Sequence, residues 1–169
     1  MSNESSHKLE SRQQVEETMR LERDLSGADL SGLDLAGIRL VAMDMEGINL
    51  SRSDLDDSTI AAANMEGANL RGAQMRRAKI TAVNLENADL TEADLTGSNW
   101  FAVNVDGADF TDAKTTDANA SAVDWSEAKV PPAEIPDPIP IPPWVPALFV
   151  GIGMLFVVAI LLIRKRRRA

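Results

Sequence analysis

The sequence has no cysteine and no tyrosine, and its only histidine is His7. Without cysteine the chain can form neither a disulfide framework nor a thiolate metal site. Histidine and cysteine supply many of the general bases, nucleophiles and zinc ligands of enzymes. Phosphate-binding loops, nucleophile elbows and metal-spaced clusters are missing as well. The sequence therefore predicts a protein that is not an enzyme and that binds no cofactor, metal or small-molecule substrate.

Basic side chains are scarce over most of the chain. Residues 21–130 carry nine basic and twenty acidic side chains, whereas residues 131–169 carry five basic and two acidic ones. An acidic body repels nucleic acid and suits a solvated domain next to a basic tail. Nucleic acid is therefore not the expected partner.

Proline is missing before residue 131, and all eight prolines lie between Pro131 and Pro146. Proline cannot donate to a sheet ladder and favours the extended polyproline II conformation. Residues 131–143 are therefore interpreted as a spacer outside any sheet, either stiff with a reach of roughly 40 Å or an ordinary disordered linker.

The one long apolar run is residues 144–163, which contain no charged side chain. Its twenty residues match the length that a helix needs to cross a hydrocarbon core. Trp144 at one end and the basic residues 164–168 at the other suit the two membrane interfaces. The sequence predicts a single transmembrane helix here, with the lipid bilayer as partner and residues 164–169 as a basic tail.

The orientation of this anchor has two readings. The positive-inside rule keeps the basic tail in the cytoplasm and places the rest of the chain outside. The polar residues 1–17 do not resemble a signal peptide, which favours a tail-anchored protein with a cytoplasmic body. We expect the second arrangement.

A period of five residues runs along residues 23–130. One column is large and apolar at every step: Leu25, Leu30, Leu35, Leu40, Met45, Leu50, Leu55, Ile60, Met65, Leu70, Met75, Ile80, Leu85, Leu90, Leu95, Trp100, Val105 and Phe110. Two positions earlier lies a smaller apolar column, and an Asp or Asn most often separates the two. Neither a helix nor a strand keeps a period of five on one face, so the chain must turn a corner at every repeat.

A longer period of twenty residues sets the number of corners. Ala42, Ala62, Ala82, Ala102 and Ala122 recur at this spacing in similar surroundings. Every glycine before residue 131 lies two places after a large apolar residue, where a turn with positive φ selects glycine. Four pentapeptides per coil predict a four-sided β-solenoid.

Segments such as Ala28–Asp29–Leu30–Ser31–Gly32 and Ala68–Asn69–Leu70–Arg71–Gly72 carry a resemblance to the pentapeptide-repeat proteins. The resemblance implies a right-handed, four-sided β-helix over residues 23–130. It implies little about function, because members of that family have unrelated roles.

Both ends of such a rod need a cover, since unpaired strand edges invite association. Residues 1–22 form a polar segment in which 6–22 are rich in helix formers, and we expect a capping helix there. At the other end, Thr115 and Ala120 interrupt the large column, and Trp125 is expected to seal the core.

Three surface features are candidate sites. Glu46, Glu66, Glu86 and Asp106 share one corner in successive coils, either as a docking stripe for a basic partner or as ordinary solvated charge. Phe101 points outward and is either an anchor for a partner or a routine surface aromatic.

The third feature is a basic cluster formed by Arg71, Arg76, Arg77 and Lys79. Asp56 and Asp57 lie one coil before Arg76 and Arg77, which favours ion pairs between coils over a phosphate site.

Three functions remain open at this point. The expected one is a membrane-anchored scaffold that presents an acidic rod to an unidentified protein partner. The first alternative is a DNA mimic that protects a topoisomerase or inhibits another nucleic-acid-binding protein, a role known among proteins of the resembled family. The second is an exported protein whose C-terminal segment is a sorting signal.

Overall fold

The computed structural model describes residues 8–138, and within them the chain is a parallel β-solenoid. Five short strands form one flat side, which we name the strand side: β1 (Arg39–Val41), β2 (Thr59–Ala61), β3 (Lys79–Thr81), β4 (Asn99–Phe101) and β5 (Asn119–Ser121). Each strand pairs in parallel with the one twenty residues later, so Leu40 lies beside Ile60 and Ile80 beside Trp100. The predicted coil length is confirmed.

The other three sides are held by single bridges at the same spacing. Asp24 pairs with Asp44, Asp29 with Asn49 and Asp34 with Asp54, each on a different side. One coil therefore has four sides, and the predicted four-sided all-β solenoid is confirmed.

The interior contains the large apolar column that the sequence predicts. Each of its members from Leu25 to Phe110 is buried, as are most residues of the smaller column, such as Ala68 and Ala88. Both columns therefore pack into one continuous core, whose burial is the main stabilising contribution to such a rod.

Each corner turns through a residue with positive φ, at every fifth position from Gly27 to Ala122. Glycine occupies some of these positions, as predicted. The corner after each strand instead holds an alanine, with φ between 52° and 56° from Ala42 to Ala122. A Cβ in this left-handed region costs about 1–2 kcal/mol, so these alanines carry backbone strain that the sequence did not reveal.

Replacing Ala62 by glycine is therefore expected to raise the free energy of unfolding by about 0.5–1 kcal/mol. Relief of the strain exceeds the extra unfolded-state entropy of glycine, which is about 0.4–1 kcal/mol. Urea denaturation followed by circular dichroism measures the change. The control is Ala63→Gly, which removes a buried methyl group and is expected to destabilise; equal signs for the two variants would contradict the prediction.

Helix α1 (Arg12–Leu21) covers the N-terminal end of the rod. Ser11 caps the helix, and the fully buried Val15 turns its side chain into the solenoid core. Just before the helix, the amide of Leu9 donates to the carbonyl of Asp29 at 3.0 Å. The predicted capping helix is confirmed, with part of the first coil's edge paired by residues 8–9.

An aromatic cluster closes the other end. The ring of Trp125 lies 5.8 Å from that of Trp100 and 5.4 Å from that of Phe110, measured between centroids. Trp125 begins a short 3₁₀ helix, Trp125–Glu127, and the carbonyl of Glu127 accepts a hydrogen bond from the amide of Gly107 at 2.8 Å. The predicted seal by Trp125 is confirmed.

The expected boundary at residue 130 needs correction, because residues 131–138 continue along the solenoid. The amide of Ala120 donates to the carbonyl of Asp137 at 2.7 Å, and the Thr115 hydroxyl donates to the carbonyl of Glu134. Pro132 and Pro136 are buried. Proline removes only its own N–H, and these bonds use the carbonyl groups of non-proline residues, so a proline-rich segment can still dock on the sheet edge.

Within residues 8–138 no helix combines the length and apolarity that crossing a bilayer requires. The predicted span at 144–163, the remaining linker residues 139–143, the tail 164–169 and residues 1–7 lie outside the described residues.

Candidate interaction surface

The polar column orders the corners of the rod. Its Asp and Asn side chains accept a hydrogen bond from the amide two residues later, as Asn104 Oδ1 does from Asp106 at 3.1 Å. This Asx turn mimics a backbone turn, which explains why Asp and Asn recur in the column. Each corner residue is thereby held in a fixed position.

On one side these polar residues also bond to each other between coils. Asn64 Nδ2 donates to Asp44 Oδ1 at 3.1 Å, Asn84 donates to Asn64 at 3.1 Å, and Asn104 donates to Asn84 at 2.9 Å. The sequence showed the column but not this ladder of amides, which depends on side-chain rotamers. The ladder fixes the spacing of the corner that follows it.

That corner carries Glu46, Glu66, Glu86 and Asp106, which we name the acidic edge. Consecutive members lie one coil apart, since the amide of Gly47 donates to the carbonyl of Glu66 and that of Gly67 to the carbonyl of Glu86, both at 2.8 Å. One coil rises by about 4.8 Å. Glu46 and Asp106 are exposed, whereas Glu66 and Glu86 are half-buried. The structure therefore places all four predicted residues in one straight row.

The row is electronegative at its C-terminal end. Although Asp106 is exposed as a residue, partial desolvation of its carboxyl raises its pKa, and the negative charges of Glu86 and Asp124 raise this pKa further. Like charges separated by only one coil oppose ionisation of the second carboxyl. A cation brought to this end would relieve that repulsion.

Replacing Asp106 by asparagine is expected to stabilise the protein slightly at pH 7, by less than about 1 kcal/mol. A carboxyl with a raised folded-state pKa disfavours folding once it ionises, so the advantage of D106N disappears as the pH falls through that pKa. Thermal unfolding between pH 3 and pH 7 measures the trend.

The matched control is Asp109→Asn, one side further along. The Thr111 hydroxyl and Lys129 lower the pKa of Asp109 to about 2, so its ionised form stabilises the fold above the unfolded pKa of about 4. D109N is expected to destabilise at pH 7, with a loss that shrinks as the pH falls toward 2. A stabilising D109N, or a destabilising D106N, would refute this assignment of charges.

The basic cluster is largely neutralised by carboxylates of the preceding coil. Arg76 Nε donates to Asp56 Oδ2 at 2.8 Å, and Arg77 makes two bonds to Asp57 at 2.9 and 2.7 Å. Arg71 pairs with Glu92 of the next coil. The ion pairs predicted for Arg76 and Arg77 are confirmed, and most of the cluster is engaged within the rod.

Phe101 lies on the outer face of β4 and is half-buried, while its neighbour Trp100 is fully buried. Its cross-strand neighbours are Thr81 and Ser121. The structure thus places Phe101 on the strand side, away from the acidic edge, so the predicted site residues form two surfaces instead of one.

Comparison with known proteins agrees with this architecture. The family model "Pentapeptide repeats (8 copies)" matches residues 24–60, 34–72 and 60–97. A comparison with curated protein sequences gives no match.

Several solved structures are similar to the chain. HetL, a pentapeptide repeat protein involved in heterocyst differentiation regulation in Nostoc sp. strain PCC 7120, is 27% identical with a TM-score of 0.44, and the match covers 66% of this chain and 55% of HetL. A pentapeptide repeat protein of the Arabidopsis thaliana thylakoid lumen is 23% identical, with a TM-score of 0.45 and coverage of 68% and 72%. QnrB1, a plasmid-mediated fluoroquinolone resistance protein, is 20% identical, with a TM-score of 0.41 and coverage of 61% and 65%.

The fold and its repeating corners define a parallel β-solenoid in which the five-residue repeat determines which side chains point outward. With the matching family model, residues 24–97 are identified as repeats of the pentapeptide-repeat family.

Proposed function

We propose that this protein is a membrane-anchored, non-enzymatic scaffold that presents its acidic edge to a basic surface on a protein partner. The observation that supports it is the straight row of Glu46, Glu66, Glu86 and Asp106. Burial raises the pKa of Asp106 at the end of this row, and the negative charges of Glu86 and Asp124 raise it further. Folded-state repulsion of this kind is lowered when a cationic partner binds.

Rigidity supports the same role. Every coil is paired to the next by backbone bonds at a twenty-residue step, and the amide ladder holds the corner in place. A partner with basic side chains at a matching spacing then loses less entropy on binding than it would against a flexible acidic tail.

Membrane attachment is the second part of the proposal and rests on the apolar residues 144–163. The repeat rod is proposed to lie in the cytoplasm. Protease treatment of intact and broken cells, with an N-terminal tag as reporter, tests this placement. Digestion of the tag in intact cells would overturn it and favour the exported-protein alternative.

The interaction is tested with the full chain as bait in solubilised membranes. The test variant is E46Q/E66Q/E86Q/D106N, and the control is D34N/D54N/D112N/D117N, which removes four charges from other parts of the rod. Quantitative mass spectrometry is expected to find a protein with a basic surface that the wild type and the control retain and that the test variant loses.

Loss of the same proteins from both variants, or from neither, would overturn the acidic edge as the binding surface. The DNA-mimic alternative makes a different prediction, because the retained protein would then be a nucleic-acid-binding enzyme displaced by duplex DNA.

A further inference from the structure

The strand side differs in charge from the rest of the rod. Its outward residues are Arg39, Val41, Thr59, Ala61, Lys79, Thr81, Asn99, Phe101, Asn119 and Ser121, and none carries a carboxylate. Residues 21–130 hold twenty acidic side chains, all of which lie elsewhere. The strand side is thus a flat surface with two cations and no anion.

Both cations are accessible. Arg39 and Lys79 are exposed, and every ion pair found among residues 8–138 uses other basic residues: Arg12, Arg71, Arg76, Arg77 and Lys129. Val41, 40% exposed, and the half-buried Phe101 add apolar area to the same side. The surface therefore combines exposed positive charge with apolar contact points.

The spacing of these cations matches that of the acidic edge. Arg39 and Lys79 are two coils apart, and so are Glu46 and Glu86. Within the chain, seven residues separate Arg39 from Glu46 and Lys79 from Glu86. Seven residues are about a third of a coil, a rise of only about 1.7 Å. Two parallel rods at nearly the same height would thus bring both pairs together at once.

We propose that the strand side of one copy docks laterally on the acidic edge of a second copy, with the two rods parallel. This inference rests on the proposed function, because it uses the acidic edge as a binding surface. It identifies a second copy of the chain as the partner that binds there. The contact is heterologous, since different surfaces of the two copies meet.

The contact is small. Five strands spaced by about 4.8 Å offer a few hundred Å² per copy, less than the roughly 800 Å² of a stable interface. We therefore expect a weak dimer in dilute solution, whereas attachment to one bilayer raises the effective concentration of neighbouring copies.

The absence of cysteine allows a direct test by disulfide cross-linking. Full chains carrying Asn99→Cys and full chains carrying Asp106→Cys are reconstituted together in phosphatidylcholine vesicles and oxidised. These exposed positions have the same seven-residue offset as the two charge pairs. The cross-linked dimer is expected for this combination and not when Thr111→Cys, on another corner, replaces Asp106→Cys.

Charge reversal tests the chemistry of the contact. Adding R39E/K79E to the Asn99→Cys chain is expected to lower the yield of the dimer at least about tenfold, because like charges then face each other. Adding E46K/E86K to the Asp106→Cys chain as well restores opposite charges and is expected to recover the yield.

Equal yields with Asp106→Cys and Thr111→Cys, or a yield unaffected by R39E/K79E, would overturn the lateral contact. Neither result would contradict the scaffold proposal, which is tested separately by comparing the proteins retained by the wild type and by the carboxylate-to-amide variants. Conversely, loss of that partner leaves the dimer test intact.

Discussion

Replacing Trp100 by alanine is expected to lower the free energy of unfolding by about 3–5 kcal/mol. Its side chain is fully buried, and its ring packs on Phe110 at 6.0 Å and on Trp125 at 5.8 Å between centroids. Its Nε1 donates to the Ser98 hydroxyl at 2.7 Å, so truncation also leaves a buried hydroxyl without this donor. The lost contacts join the last coils to the aromatic seal.

The matched control is Phe101→Ala, one residue further along the same strand. Because strand side chains alternate, Phe101 faces outward and its removal is expected to cost less than about 1 kcal/mol. Urea denaturation of the full chain, followed by circular dichroism, measures both. Similar losses for the two variants would show that the core side of β4 has been assigned incorrectly.

Replacing Val15 by aspartate is expected to release helix α1 from the N-terminal end of the rod. Val15 is fully buried against the core, and an unpaired carboxylate there costs several kcal/mol. A helix of ten residues is marginal without packing, so α1 is expected to unfold once it undocks. Loss of helical signal in circular dichroism and faster amide exchange over residues 12–21 would report the change.

Undocking also exposes the first coil, whose strand edges then pair with other molecules. Concentration-dependent oligomers of V15D in light scattering are the expected second result. Leu21→Asp is the control, because Leu21 lies at the end of the same helix and is 73% exposed. An undocked helix in L21D, or a docked one in V15D, would contradict the capping role.

The sequence was sufficient to predict the core, since a five-residue period allows only one choice of inward positions. From Leu25 to Phe110 the large apolar column is buried without exception. The recurrence of similar segments around Ala42 and Ala62 predicted the coil length of twenty residues. Pairing register in a solenoid follows from repeat length alone, which removes the usual ambiguity of strand partners.

Corner strain and the C-terminal boundary were harder to predict. Alanine carries no signal for positive φ, so Ala42 and its equivalents looked like ordinary small residues. Prolines at 131–138 suggested separation from the sheet, yet Asp137 between two of them still accepts from Ala120. The proline content of a segment shows which backbone N–H groups are missing. It does not show where the remaining amide and carbonyl groups form hydrogen bonds.

The positions of the candidate site residues could be predicted from the sequence, but the hydrogen bonds beside them could not. Their twenty-residue spacing, equal to one coil, predicts that Glu46, Glu66, Glu86 and Asp106 lie in one row. The amide ladder beside them needed side-chain geometry. The acid-free strand side also had a signal in the sequence, because the outward positions around residues 39, 59, 79, 99 and 119 hold no Asp or Glu.

The docking of residues 131–138 changes how far the rod can stand from a bilayer. With residues 144–163 as the proposed span, only residues 139–143 remain between rod and membrane, a reach of about 15 Å instead of roughly 40 Å for residues 131–143. An anionic leaflet repels the acidic flanks over about 8–10 Å, which favours rods standing along the membrane normal. Neighbouring copies would then share one height and one direction, so the bilayer itself would set the register in which Arg39 meets Glu46.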